Sequence, residues 1–231
     1  MISLAGVVNH HKTNHFFHFS SFISLLSSVF LFCSFVIPCS AFGAVAVAEE
    51  QNEARRIFDE AYNQVFGPQG STLHYDVNLI GVYKTEGTIW YKGKKSKFVD
   101  NKLTQWNDGQ TVYALFKKKN TIEIYDAKTG RHDKYASKFK FALDDFDYSM
   151  ERKGDNIIIN MKQRHGAKGT VKQAKVVLDA RTHAPKGAKV KVTFFWANIT
   201  ISNFRSGDIA DDIFVFPRSN YGEGYKYLDK R

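Results

Sequence analysis

Residues 87–126 constrain the fold more than any other part of the chain. They read Gly-Thr-Ile-Trp-Tyr-Lys-Gly, a basic segment, Asn107-Asp108-Gly109-Gln110, then Thr-Val-Tyr-Ala-Leu-Phe and Thr-Ile-Glu-Ile-Tyr-Asp. Aromatic and β-branched residues suit a pleated, half-buried surface, and Asn, Asp and Gly accept positive φ in tight turns. The segment therefore predicts short antiparallel strands joined by hairpins. Two-residue alternation starts earlier, where Leu73, Tyr75, Val77 and Leu79 interleave with Thr72, His74, Asp76 and Asn78. Further strands are expected over 148–152, 157–161, 170–178, 189–196 and 199–204, and a last apolar strand over 211–217, closed by Pro217.

Helical periodicity is clear in one place. Ala54, Ile57, Phe58, Ala61, Tyr62, Val65 and Phe66 fall on one stripe of a helix over 51–66, which Gly67-Pro68 ends. Residues 132–147 lose clear alternation, and residues 136–143 suit either a strand or a short helix inserted over the sheet. The sum is a mainly β chain: an incomplete (open) antiparallel barrel or strongly curved sheet. The N-terminal amphipathic helix and the short helical insertion would cover its concave side.

The first 48 residues carry one formal charge, Lys12, and an apolar run over 22–42 that ends in Ala44-Val45-Ala46-Val47-Ala48. This is a secretory signal pattern with cleavage expected after Ala48, leaving 49–231 as a single domain. An uncleaved inner-membrane anchor is the alternative, since the run approaches the roughly 20 residues that span a bilayer. Both cysteines, Cys33 and Cys39, lie in this segment. A chain beginning at Glu49 would have no thiol, which excludes disulfide scaffolds, thiol catalysis and cysteine metal sites. The net charge is +10. Lysines at 92, 94, 95, 97 and 117–119 could face lipid head groups or an acidic partner, or could keep strand edges from pairing. Export argues against nucleic acid as a partner.

Chemistry-bearing residues are sparse. His74, His132, His165 and His183 lie far apart without metal-ligand spacing, and His74, His165 and His183 are expected on solvated surface. Asp144, Asp145 and Asp147, and the pair Asp211 and Asp212, lack the alternating ligands of a calcium loop. No Gly-x-Ser-x-Gly elbow marks a nucleophile. No catalytic residue, metal site or cofactor is expected, and the chain is not expected to be an enzyme. What stands out is the placing of large rings. Tyr75, Trp90-Tyr91, Tyr113, Phe116 and Phe194-Phe195-Trp196 fall on several strands, more than one helix readily covers, so they line either a packed core or a greasy groove.

Several motifs in this order resemble the LolA family of periplasmic outer-membrane lipoprotein carriers. Gly87-Thr88-Ile89-Trp90-Tyr91-Lys92 is similar to that family's Gly-x-Leu-Trp-x-Lys strand, and Asn107-Asp108-Gly109-Gln110-Thr111-Val112-Tyr113 to its Ser-Asp-Gly-Lys-Thr-Leu-Trp hairpin. Tyr148 with Gly154-Asp155 resembles its Tyr…Gly-Asp strand pair, and Phe214-Val215-Phe216-Pro217 its closing Phe-x-Phe before proline. The resemblance implies a periplasmic chaperone that binds the acyl chains of lipoproteins in a hydrophobic cavity. It would accept them from an inner-membrane lipoprotein-release transporter and deliver them to an outer-membrane receptor, acting as a monomer. Tyr75, Trp90, Tyr113, Phe116, Ile124, Phe194, Trp196 and Ile201 are the expected cavity wall, although a one-residue slip in facing would invert each assignment. A lipid-sensing or protein-interaction domain on the same scaffold is the alternative. In typical members Arg-Pro follows the strand's Lys, and that Arg ties the strand to the helical lid. Here Gly93-Lys94 stands instead, so the family's latch does not carry over.

Overall fold

The computed structural model describes residues 42–79, 83–129, 142–192 and 195–231. The long helix α1 (Phe42–Phe66) buries Ala54, Ile57, Phe58, Ala61, Val65 and Phe66 along one stripe, as their spacing requires. Its last turn closes with the Gly67 N–H donating to the Asn63 carbonyl at 2.9 Å. Pro68, which has no N–H, cannot extend it. The cleavage point expected after Ala48 falls inside this helix, and nearly all of the apolar run over 22–42 lies outside the described residues. Among the described residues no helix is long and apolar enough to cross a membrane.

Twelve strands follow among the described residues: β1 (Ser71–Leu79), β2 (Tyr83–Lys92), β3 (Lys95–Asp100), β4 (Leu103–Asn107), β5 (Thr111–Phe116), β6 (Thr121–Asp126), β7 (Phe146–Lys153), β8 (Asn156–Gln163), β9 (Val171–Asp179), β10 (Pro185–Val192), β11 (Phe195–Ser206) and β12 (Lys226–Asp229). They form one sheet in the order β12-β6-β5-β4-β3-β2-β1-β11-β10-β9-β8-β7. The outermost strands, β12 and β7, do not pair with each other, so the sheet is an open antiparallel barrel, as the alternation predicts. Sequence neighbours pair as hairpins, except that β6 does not pair with β7 nor β11 with β12, and at the centre β1 takes β11 with Tyr75 opposite Ile201.

Two sequence expectations are corrected or displaced. Residues 211–217 are not a strand: Asp211–Phe214 is a 3-10 turn. The final strand is β12, parallel to β6. The helical insertion expected over 136–143 lies almost wholly outside the described residues, and only a 3-10 turn, Leu143–Asp145, is seen at its end.

The helix lies on the inner face of the sheet and divides the core in two. Val65 and Phe66 pack with Leu73, Tyr75, Val77, Ile89, Tyr91 and Phe98. Ala54, Ile57, Phe58 and Ala61 pack with Phe146, Tyr148, Ile157, Ile159 and Met161. Tyr62 touches both groups.

Candidate functional site

Between the two halves of the core, under α1, the sheet encloses an apolar hollow of about 140 Å³. Phe58, Ala61, Tyr62, Val65 and Phe66 of the helix form its roof. Its floor comes from β1, β8–β10 and β11, and the reason for the gap is visible in the side chains. Ala174, Val176, Gly187, Ala188 and Val190, on the adjacent β9 and β10, are too short to reach the helix. Neighbouring β1 and β2 carry Tyr75, Ile89 and Tyr91, which reach across and fill the space. The lining is almost wholly apolar. Its phenol at Tyr62 is pushed up to about 12 by burial and stays neutral. Such a surface favours hydrocarbon over water and offers few groups to orient a polar ligand.

The expected wall residues divide between the two faces. Tyr75 and Ile201 line the hollow. Phe116 also faces inward and packs against the filled half of the core. Trp90, Tyr113, Ile124 and Trp196 are corrected: they project from the outer face. Register decides this, because residues opposite each other in an antiparallel ladder share a face. Tyr75 pairs with Gly87, which puts Trp90, opposite Thr72, on the other side. Tyr113 pairs with Trp106 and Ile124 with Tyr113, while Trp196 pairs with Lys191 next to the inward Ala197. Phe194 lies outside the described residues. The sequence carried a signal for the real floor, namely small apolar residues at inward positions of two adjacent strands, but large rings overshadowed it.

Gly87 explains one member of the opening motif. A Cβ there would lie 2.5 Å from the Tyr75 hydroxyl and 2.5 Å from the Val99 carbonyl. The Tyr75 ring crosses this bare position and stacks on Phe98 at 5.7 Å.

Outward rings are covered by the C-terminal segment. Phe216 stacks on Tyr113 at 4.4 Å and meets Trp106 edge-on at 5.2 Å. Tyr221 and Tyr227 complete this layer. Asp211 anchors the segment by ion pairs to Lys92 and Lys95, each 2.9 Å, and those ammonium groups hold its carboxyl down to about 2. Lys97 lies over the rings of Trp90 and Trp106. These lysines therefore belong to a seal over the outer face and are not free edge charges.

The helix is tied to the sheet by groups other than the family's arginine. Arg55 pairs with Asp144 at 2.9 Å, and Glu53 with Arg152 at 3.5 Å. The Gln64 amide donates to the Thr182 carbonyl at 2.8 Å, and the Ser206 hydroxyl to the Gln64 carbonyl at 3.0 Å. Glu60 meets His183 Nδ1 at 2.8 Å, and this hydrogen bond lowers the Glu60 carboxyl below its usual range. His183 is thus a lid contact and not the solvated turn residue its sequence position suggests. At the departure from the family pattern, the Gly93 N–H donates to the carbonyl of Gly67, just past the end of the helix, at 3.3 Å. Among the described residues no group of His, Cys, Asp and Glu is placed to hold a metal ion.

The family model described as outer membrane lipoprotein carrier protein LolA matches residues 44–193. The chain belongs to this family. The match begins within α1 and ends at β10, so it contains the roof and most of the floor of the hollow. No curated protein matches the chain. Among solved structures, a DUF1329 family protein from Desulfovibrio piger is 12% identical over 76% of this chain and 99% of its own, with a TM-score of 0.40. A LolA superfamily protein from Nitrosomonas europaea is 10% identical over 71% and 98%, with a TM-score of 0.35. The lipoprotein LppX of Mycobacterium tuberculosis is 11% identical over 73% and 99%, with a TM-score of 0.37.

Proposed function

We propose that this protein is an exported carrier that holds the acyl chains of lipoproteins in the hollow beneath α1. In this reading residues 1–48 direct export and residues 49–231 form the working domain in the periplasm. Cargo passes from an inner-membrane release transporter to an outer-membrane receptor. The observation that carries the reading is the hollow itself: an apolar space roofed by α1, in a chain of the lipoprotein-carrier family.

Energetics fit transport better than storage. Each methylene buried from water is worth about 0.8 kcal/mol, so even a few are held firmly against water. The cargo leaves one greasy site and enters another, however, and only the difference between them drives transfer. An aliphatic cavity with few fixed polar anchors keeps that difference small. The space of about 140 Å³ is small for acyl chains, so loading requires the roof helix to lift from β9 and β10. The contacts that would yield are the side-chain ties at Arg55, Glu60 and Gln64. Tyr75 and Ile201, together with Val176, Ala188 and Val190, are proposed to contact the chains.

Native mass spectrometry of protein released from the periplasm tests the proposal, expecting copurified acylated polypeptide. Val190→Glu, which places a carboxylate in the hollow, is expected to abolish extraction of a lipoprotein from membranes. Cargo-free protein together with undiminished extraction by Val190→Glu overturns it.

A further inference from the structure

The outer face of β8–β11 carries an arrangement of charge that packing does not explain. Ladder pairing places Lys162, Gln173, Lys191 and Trp196 side by side across these four strands. The adjacent rung holds Asn160, Lys175, Lys189 and Asn198. Lys175 stands directly opposite Lys189, a like-charge pair that weakens a sheet. Among the described residues Lys162, Lys175, Lys189 and Lys191 form no ion pair, although twelve such pairs occur elsewhere. Two acids of β7 on this face are engaged elsewhere: Asp147, opposite Lys162, pairs with Arg164 at 2.8 Å, and Glu151 accepts from the Asn160 amide at 3.0 Å. Edge protection does not account for these lysines, since β8–β11 lie inside the sheet.

We propose that this face docks the protein on an anionic phospholipid surface. Two features favour lipid over an acidic protein. All four cations are lysines, and the ammonium is a hydrated point charge that suits a diffuse anionic surface, whereas fixed carboxylates are matched by the planar fork of arginine. Trp196 stands at the end of the row, half-buried, with Lys191 over its ring at 6.0 Å. Tryptophan beside lysine is the pairing that sits at the head-group level of a bilayer. Lys162, Lys175 and Trp196 also border, with Asn160, Gln173 and the Arg164-paired Asp147, a shallow groove of about 400 Å³, room for a phosphate head group. Among the described residues, the C-terminal segment covers the outer face of β4–β6 and not this region. The proposal concerns the face opposite the hollow and goes beyond the carrier reading.

Sedimentation with vesicles tests it. The purified protein is expected to bind an equimolar phosphatidylcholine and phosphatidylglycerol mixture at low salt, to release at high salt, and to ignore phosphatidylcholine alone. Charge reversal by Lys175→Glu with Lys189→Glu is expected to lower binding about tenfold or more, since one lysine near an anionic surface contributes about fivefold. Trp196→Ala is expected to lower it a few-fold. Lys118→Glu with Lys119→Glu, on the exposed turn after β5, removes equal charge and should leave most binding intact. An equal loss from that control overturns the proposal. So does a wild type indifferent to anionic vesicles, which makes an acidic protein the partner of this face. Capture of a fluorescent fatty acid without vesicles should survive the Lys175 and Lys189 changes. Its absence in every variant counts against the carrier reading and leaves docking untouched.

Discussion

The two halves of the sheet are built on opposite plans. In β1–β6 the inner face is filled by Tyr75, Ile89, Tyr91 and Phe98 against Val65 and Phe66, and on the outer face of β4–β6 Phe216 and Tyr221 cover Trp106 and Tyr113. In β9 and β10 the inner face is floored mainly by alanine, glycine and valine, and the outer face of β8–β11 carries Lys162, Lys175, Lys189 and Lys191. The difference shows that aromatic density in this chain marks where space is filled. The hollow lies where rings are missing from two adjacent strands, at Ala174, Val176, Ala188 and Val190.

Truncation should tell the halves apart most sharply. Phe98→Ala removes a ring that supports Tyr75 in the filled half, and a loss of about 3–5 kcal/mol is expected in urea unfolding. A loss below about 1 kcal/mol would mean that this half is loosely packed and the contrast false. Gly87→Val probes the same half by overfilling it. The new side chain collides with the Tyr75 hydroxyl and the Val99 carbonyl, and a cost of about 1–3 kcal/mol is expected, read from the same unfolding curves.

In the hollow half, enlargement should behave differently. Ala188→Phe enters existing space, so stability should shift by less than about 1 kcal/mol. Displacing about two methylenes of cargo should weaken acyl binding about tenfold, measured by titration with a fluorescent fatty acid. Destabilisation as large as that of Gly87→Val would show that the hollow closes in solution.

The smallest effect is expected at the lid edge. Glu60 and His183 are partly exposed, so their coupling in a double-mutant cycle should be below about 1 kcal/mol. Its pH dependence has a definite sign. The Glu60 carboxyl is lowered in the folded state, chiefly by the hydrogen bond with His183. Its stabilisation is therefore present above the ordinary glutamate value of about 4.3 and is lost as pH falls through the lowered value. Hydrogen exchange of α1 should quicken in that acidic range, and Glu60→Gln should remove this part of the response. An unchanged profile in Glu60→Gln would mean that another contact holds the roof.

Much of the architecture was legible before any coordinates. The stripe from Ala54 to Phe66 places the helix and its buried face, because only a period near 3.6 puts those residues together. Alternation in residues 71–79 and the turn chemistry at Asn107-Asp108-Gly109 place hairpins, and the motif order points to the carrier family. The wall of the hollow was not legible to the same degree. Period-two alternation says that neighbours such as Trp90 and Tyr91 face opposite ways, but not which way is inward. That choice normally follows the apolar set. Here the outer face of β4–β6 is apolar as well, because the C-terminal segment covers it with Phe216 and Tyr221.

Periodicities and turn residues local to each segment specify an open antiparallel sheet with one amphipathic helix across it. Tertiary structure alone decided which face of each strand lies under the helix, where the rings run out and leave a hollow, and which lysines remain without a counter-ion. Those outcomes depend on pairings such as Tyr75 with Ile201 and Lys175 with Lys189, and on a lid bond from Glu60 to His183. Partners so far apart along the chain meet only when the sheet is assembled.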